Sequence, residues 1–211
     1  NVESKALASE LTIKLILSLL AILVFGFILL IFIENRYFIS SKKKLEFEVK
    51  QGPLTKAFSR RCGTNDLITA FKDYKIKGTS PGTMIFDIDN FKRINDKYGH
   101  DFGCRILIAI VQAVYHIIRI SDKLIRWGGD EFIGIFYRLK EENIIELGEK
   151  ILSAVSSLKI PIGSETVSPT VSAGFSYFKE SDKDFKAALK RADEALYKSK
   201  VEGKNGINII I

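Results

Sequence analysis

Two short segments of this sequence carry the residues best suited to metal-dependent chemistry. Asp87 follows an apolar run from Thr83 to Phe86, so its carboxylate is expected at the end of a buried strand. Asp130 and Glu131 directly follow two glycines. Carboxylates that converge from two strands supply the hard oxygen ligands that Mg²⁺ prefers. Such ions neutralise a triphosphate during phosphoryl or nucleotidyl transfer, so the pattern favours a nucleotide-processing enzyme.

The glycine pair Gly128 and Gly129 separates two apolar segments, 124–127 and 132–137, which predicts a hairpin. We expect both glycines to adopt the positive φ of a tight turn and to let backbone N–H groups approach a phosphate. A plain two-glycine hairpin with solvated acidic residues has the same local pattern. The glycines alone therefore do not distinguish a structural turn from a phosphate-binding one.

Side chains that suit nucleotide binding occur in two further segments. Residues 91–100 combine cations with Asn95, whose amide can read a base edge. Lys200 and Lys204 lie four residues apart near the C-terminal end and are placed to hold phosphates. Lysines in a last helical turn are also the usual solvated face that the helix dipole favours, so both interpretations stay open.

The hydrophobic pattern predicts the elements that must position these residues. Strands are indicated at 83–87, 124–127, 132–137, 170–177 and 207–211, and helices at 101–119, 141–158 and 185–201, after an amphipathic segment at 54–74. A hairpin and single strands interspersed with helices predict an α/β fold with a mixed central β-sheet flanked by helices.

An apolar run precedes this domain. Residues 15–33 contain no charge and only Ser18 as a polar side chain. As a helix the run spans roughly 28 Å, close to the roughly 30 Å core of a bilayer, which favours a transmembrane helix over a core helix or a signal peptide. Basic residues crowd its C-terminal side, so the positive-inside rule places residues 34 onward in the cytoplasm. We expect four regions, namely an N-terminal flank at 1–10, a transmembrane helix at 11–33, a connector at 34–51 and one domain at 52–211.

Charge and cysteine content narrow the function classes only modestly. Part of the net charge of +7 is the lysine cluster after the apolar run, which suits an anionic membrane surface. No basic-aromatic stripe indicates nucleic-acid binding, so no nucleic-acid partner is expected. Cys62 and Cys104 lack the spacing of a metal site and are expected to be reduced thiols in a cytoplasmic domain.

Several segments, in the same order along the chain, resemble the GGDEF-domain diguanylate cyclases over roughly residues 52–211. The signature itself is 128–132. The other matching segments are Pro53-Leu54-Thr55 with Arg60-Arg61, 86–92 with 94–96, 98–100, 171–174 and 192–197, followed by Lys200, Gly203, Lys204 and Asn205. The resemblance implies a GGDEF/nucleotidyl-cyclase palm-like fold, held in the cytoplasm at the bacterial inner membrane by the single predicted span.

The resemblance also implies an activity. In a homodimer each subunit would bind one GTP, and each 3′-hydroxyl would attack the α-phosphate of the other nucleotide, giving cyclic di-GMP and two pyrophosphates. Metal binding, with Mg²⁺ or Mn²⁺, would fall to Asp87, the Ile88 carbonyl, Asp130 and Glu131, and the last two would also serve catalysis. The residues implied in substrate binding are Phe91, Lys92, Asn95, Cys104, Gly128, Gly129, Lys200 and Lys204.

Arg119 and Asp122 stand nine and six residues before Gly128 and match the family's RxxD site for inhibitory product. An arginine suits the guanine and phosphate groups of cyclic di-GMP. A cation in a last helical turn with an acidic residue after it needs no ligand, so a structural interpretation stays open beside the inhibitory one.

Cys104 departs from the family pattern, which has at this position an aspartate that accepts hydrogen bonds from guanine. A thiol is a poor acceptor, and a bond to a charged group contributes about 1.5–3 kcal/mol. Three outcomes stay open. They are a GTP cyclase with reduced affinity, a cyclase of relaxed base choice that makes mixed cyclic GMP-AMP, and a catalytically silent receptor for cyclic di-GMP.

Overall fold

The computed structural model describes residues 25–38, 51–79 and 81–211. Contacts between residues divide the chain into two compact units, residues 1–49 and residues 50–211. In the first unit, residues 25–38 form a helix, α1, with exposed apolar side chains. Within the described ranges, no helix combines the length and apolarity that a membrane crossing requires. Most of the transmembrane helix at 11–33 and of the connector at 34–51 lies outside the described residues, so both stay predictions.

The second unit contains all the strands and the remaining helices of the described chain. The strands are β1 Phe58–Ser59, β2 Gly82–Ile88, β3 Lys123–Arg126, β4 Glu131–Phe136, β5 Ile160–Ile162, β6 Glu165–Val167, β7 Val171–Tyr177 and β8 Ile207–Ile209. The helices are α2 Arg60–Lys77, α3 Phe91–Tyr98, α4 His100–Tyr115, α5 Ile144–Ser156 and α6 Phe185–Val201, and a 3-10 helix spans Glu141–Asn143.

Six strands form a mixed central sheet in the order β1-β3-β4-β2-β7-β8, and β5 and β6 pair separately. β2 is antiparallel to both β4 and β7, whereas the edge strands β1 and β8 run parallel to β3 and β7. Alternate residues of β2 enter two cores, with Met84 and Phe86 in one and Ile85 in the other. This burial on both faces explains why consecutive residues of the strand are apolar. The predicted α/β fold with a mixed central sheet is confirmed.

Helix α6 is held close to the sheet because β7 carries a glycine at the crossing point. A Cβ at Gly174 would clash with the backbone of Ala192 and Leu196. The helix begins after Asp184, whose side chain accepts a hydrogen bond from Lys186 N at 2.9 Å. The close packing brings the C-terminal turn of α6, with Lys200, to the end of β2.

The structure differs from the prediction in several places. The helix expected at 101–119 ends at Tyr115. Ile117 and Ile118 continue the apolar pattern that predicted a longer helix, but they pack on the core from a loop. Arg119 therefore lies in that loop and not in a last helical turn. The helix α3 was not predicted separately, although Gly99 at φ 86° separates it from α4. The hairpin β5–β6 was missed because three-residue strands carry too little periodicity.

Candidate active site

The register of the central strands places Asp87 directly opposite Glu131. Burial raises the pKa of Asp87, with repulsion from Asp130 adding to the effect and the hydrogen bond from Lys200 opposing it. Burial also raises the pKa of Glu131, and repulsion from Asp193 and Asp87 acts in the same direction. The site therefore concentrates negative charge in a partly buried place, which a bound cation would relieve.

Two lysines reach the same end of β2 from α6 and the loop after it. Lys200 Nζ lies 2.9 Å from Asp87 Oδ1. Lys204 Nζ donates to Asn90 Oδ1 at 2.7 Å. The structure thus brings both predicted phosphate-binding lysines beside the strand that carries Asp87.

The hairpin turn is a four-residue loop between Arg126 and Glu131. Trp127 N and Gly128 N both donate to the carbonyl oxygen of Glu131, at 2.9 and 3.2 Å. The prediction of positive φ at the glycines was wrong, since neither has φ between +20° and +160°. A two-residue turn requires such angles, whereas a loop of four residues does not.

The glycines leave the outer side of this turn open. A Cβ at Gly129 would have nothing within 4 Å, so nothing in the described chain requires a glycine there. An open backbone suits close approach by a phosphate. The guanidinium of Arg126 holds the turn, with Nε and Nη2 donating to Gly129 O at 3.1 and 2.7 Å.

The predicted base-binding residues lie on α3 and α4. Asn95 Oδ1 is buried, and no hydrogen-bond partner for it exists in the described part of the chain. It packs against Gly103, where a Cβ would clash with it. Cys104 follows as a partly exposed free thiol. An unpaired buried amide oxygen costs about 1–3 kcal/mol, and the N–H of a bound base would satisfy it.

Phe91 and Lys92 form the first turn of α3, next to Asn90. The Phe91 ring packs on the core, while Lys92 is exposed. The first turn of a helix presents free backbone N–H groups, and no acidic residue competes for them here. The two residues are thus placed to offer backbone donors to a phosphate, with the Phe91 side chain serving packing.

The metal ligands expected from the sequence are only partly assembled. Among the described residues, no group of three or more acidic, histidine or cysteine side chains is placed to hold a metal ion. Of the carboxylates expected to converge, the sheet provides the cross-strand pair Asp87 and Glu131, with the Ile88 carbonyl next along β2 and Asp130 near Asp87. The Lys200 ammonium on Asp87 marks a position that attracts a cation. These hard oxygen donors fit Mg²⁺ or Mn²⁺, which complete their coordination with water and substrate phosphates.

The predicted inhibitory pair is divided between two roles. Asp122 is buried, and its carboxylate accepts from Arg119 N at 2.9 Å and from Tyr137 N at 3.0 Å. It therefore ties the loop after α4 to the residue that follows β4. Arg119 lines a surface cavity of about 570 Å³ together with Ser121, Lys123, Tyr137 and Arg138.

Sequence reasoning missed the parts played by two residues in this site. Arg126 lies within the recognised hairpin, but its contact with Gly129 O depends on the path of the turn. Asp89 alternates with Asp87 along the chain, which by itself predicts the same face of the strand, yet Asp89 is only 4% exposed and accepts three hydrogen bonds. An acidic residue two positions after a buried strand was the available signal for Asp89, but its partners are distant in the sequence.

The carboxylates, the lysines and the open hairpin meet at one end of a mixed sheet, which defines an α/β domain of the nucleotide-processing class. The family described as "Diguanylate cyclase, GGDEF domain" matches residues 50–206. The chain belongs to this family of GGDEF-domain diguanylate cyclases.

Similar proteins agree with this membership. Diguanylate cyclase DosC of Escherichia coli (strain K12) is 35% identical over 167 residues, which are 77% of this chain and 35% of DosC. The GGDEF domain of DgcB from Caulobacter crescentus in complex with c-di-GMP has a TM-score of 0.72 at 29% identity, covering 76% of this chain and 92% of that one. Diguanylate cyclase SiaD in complex with its activator SiaC from Pseudomonas aeruginosa has a TM-score of 0.76 at 28% identity, covering 84% of this chain and 69% of that one. The chain spans about a third of the length of DosC.

Proposed function

We propose that this chain is a diguanylate cyclase, which condenses two GTP molecules into cyclic di-GMP and two pyrophosphates as a homodimer. The observation that carries the proposal is the position of Asp87 opposite Glu131 with Lys200 beside them. A carboxylate pair next to a phosphate-binding cation is the arrangement that nucleotidyl transfer requires.

The triphosphate would bind where Lys200, Lys204 and the first turn of α3 meet. Lysines act there as mobile point charges, and the N–H groups at the start of α3 add fixed donors. The open turn at Gly129 would let the α-phosphate approach the backbone without a side chain in the way. Asn95 Oδ1 would accept a hydrogen bond from the base.

The carboxylates would serve the attacking hydroxyl. Glu131, whose pKa is raised by burial and by neighbouring carboxylates, suits a residue that takes the proton from a 3′-hydroxyl. The bond from O3′ to the α-phosphorus forms while the bond to the leaving pyrophosphate breaks. Mg²⁺ or Mn²⁺ held by Asp87, the Ile88 carbonyl, Asp130 and Glu131 would neutralise the triphosphate and the pyrophosphate.

Dimerisation and membrane anchoring are part of the same proposal. Each subunit offers one site for one nucleotide, so two subunits must face each other for the paired attack. The uncharged run at 15–33 and the basic residues after it support a single span in the bacterial inner membrane with the domain in the cytoplasm.

Incubation of the full chain with Mg²⁺ and labelled GTP, ATP or both tests the proposal. We expect a cyclic dinucleotide, and we expect Glu131→Gln and Asp87→Asn to reduce its rate by at least about a hundredfold. Glu194→Gln, an exposed change on α6, is the matched control and should retain the rate. Absence of any cyclic dinucleotide in all three mixtures would contradict the proposal.

A cyclase of relaxed base choice is the second candidate. It is favoured by Cys104, a weak acceptor at the position where the family has a carboxylate. Mixed cyclic GMP-AMP from an equimolar mixture of GTP and ATP would support this candidate, whereas cyclic di-GMP alone would exclude it.

A catalytically silent receptor for cyclic di-GMP is the third candidate. The cavity that contains Arg119, Lys123 and Arg138 favours it, because three cations suit a ligand with two phosphates. The same cavity would serve product inhibition in an active cyclase. Calorimetry with cyclic di-GMP should show binding that Arg119→Ala abolishes and the exposed change Arg61→Ala retains. Unchanged binding by Arg119→Ala would remove this cavity from consideration.

A further inference from the structure

Two consecutive residues at the end of β2 hold two consecutive residues of the loop after α6. Asp89 Oδ2 accepts a hydrogen bond from Asn205 N at 3.0 Å. Asn90 Oδ1 accepts from Lys204 Nζ at 2.7 Å. The loop that carries Lys204 is thus attached to the strand that carries Asp87.

The carboxylate of Asp89 is fully engaged in this attachment. Its Oδ2 also accepts from Thr170 Oγ1 at 2.8 Å, and its Oδ1 accepts from Ser172 Oγ at 2.7 Å. Asp89 N in turn donates to Thr170 O at 2.9 Å. With three donors on two buried oxygens, Asp89 is not placed to bind a metal, although it alternates with Asp87.

The backbone around this attachment adopts an uncommon conformation. Asn90, Lys204 and Asn205 have φ of 56°, 66° and 45°, so three non-glycine residues occupy the left-handed region. Asparagine adopts this region readily, whereas for a lysine it persists only where the surrounding structure holds it in place. Lys204 N also donates to Ser199 O at 3.0 Å, which fixes the start of the loop, and the bond to Asp89 fixes its continuation.

We propose that Asp89 is a positioning residue, which acts through Asn205 N to hold the loop 202–206 so that Lys204 reaches the triphosphate site. The inference rests on the proposed function, because triphosphate binding by Lys204 is part of that function. On nucleotide binding, the Lys204 ammonium would exchange Asn90 Oδ1 for a phosphate oxygen while the backbone stays in place. Holding the loop beforehand reduces the conformational entropy lost on binding.

A double-mutant cycle on the full chain tests the inference, with a non-hydrolysable GTP analogue and Mg²⁺ in calorimetry. Lys204→Ala should weaken binding about tenfold or more, as for the loss of a charge-assisted bond. Asp89→Asn should weaken it by a similar factor, because an amide offers one acceptor oxygen to the three donors. The double variant should be no weaker than Lys204→Ala alone. Thr170→Val, which removes another bond to Asp89 but leaves Asn205 N in place, is the matched control and should bind within about threefold of the parent.

Amide hydrogen exchange of the parent protein provides a second measurement. It needs no nucleotide, and it does not depend on whether the Asp89→Asn variant folds. The N–H of Asn205 should be protected in the parent to the level of the β7 amides, although the residue is exposed. Exchange at the rate of an open loop would overturn the inference whatever the nucleotide results. Additive losses in the cycle would also overturn it while leaving the proposed function intact. If Lys204→Ala binds like the parent, the assigned role of Lys204 fails, and the inference fails with it.

Discussion

The Lys200 ammonium lies 2.9 Å from Asp87 Oδ1, so the lysine proposed to bind phosphate also neutralises the carboxylate proposed to bind metal. A metal ion bound to Asp87 would compete with this ammonium for the carboxylate. When a nucleotide and its metal arrive, the metal would take the carboxylate and the lysine would move to a phosphate oxygen. Asp87 would therefore have a cation beside it both before and after the nucleotide binds.

Replacement of Lys200 should separate these two roles. Lys200→Met removes the competing cation, so Mn²⁺ affinity without nucleotide should rise several-fold, while affinity for GTP should fall about tenfold or more. Electron paramagnetic resonance of free Mn²⁺ and nucleotide calorimetry measure the two effects. Lys198→Met, on the exposed face of the same helix, should change neither. Unchanged Mn²⁺ affinity in Lys200→Met would show that the ion pair does not oppose metal binding.

Base selectivity should respond to a substitution at Cys104, the residue after the Gly103 that packs against Asn95. Cys104→Asp adds a charged acceptor, and a bond to a charged group of about 1.5–3 kcal/mol predicts a preference for GTP over ATP that is about 10- to 100-fold greater. Competition between the two labelled nucleotides measures this change. Cys62→Ser, at the other free thiol, should leave the preference as it is. An equal gain for both nucleotides would place base recognition elsewhere.

Arg126 should influence turnover more than substrate binding. Its two bonds to Gly129 O fix the direction of that carbonyl, and in a trans peptide the N–H of Asp130 then points the opposite way. Arg126→Gln should lower kcat about ten- to a hundredfold, as expected for a small displacement of reacting groups, with KM changed less than about threefold. Arg126→Lys should recover part of the rate.

The control for this prediction is Arg61→Gln, the same chemical change at an exposed arginine of α2, which should keep the parental kcat. A rise in KM without a fall in kcat would contradict the positioning role of Arg126.

Acid should weaken the attachment of α6 to the loop that joins it to β7. Arg191 donates from Nη1 and Nη2 to the two oxygens of Asp182, each at 2.8 Å, and both side chains are largely buried. The hydrogen bond from Arg191 lowers the pKa of Asp182 below its ordinary value of 3.8. A carboxyl whose pKa is lower in the folded state stabilises the fold fully above that ordinary value, and the contribution is lost as the pH falls through the folded pKa.

Asp182→Asn should therefore lower the free energy of unfolding by about 3–5 kcal/mol at pH 7 and by clearly less near pH 3. Urea unfolding followed by the fluorescence of Trp127, the single tryptophan of the chain, measures both values. An equal loss at the two pH values would show that the charge of Asp182 contributes nothing.

Local patterns predicted the regular elements well and the turns poorly. The helix expected at 185–201 is Phe185–Val201, because a capping aspartate and an unbroken apolar periodicity mark both ends. The helix expected to reach Arg119 ended early, because the core accepts Ile117 and Ile118 from a loop as readily as from a helix. Glycine content predicted the hairpin correctly, but not the φ angles of a turn whose length allows ordinary ones.

The sequence by itself determined the family, the order of the elements and the set of charged residues that chemistry requires, because these depend on near neighbours and short motifs. Only the tertiary structure decided which carboxylate is held by structural donors and which one faces the site. Asp89 is engaged by residues 81 and 116 positions away, whereas Asp87 meets Lys200 from α6. Such partners are set by strand register and helix packing, which a pattern of neighbouring residues does not contain.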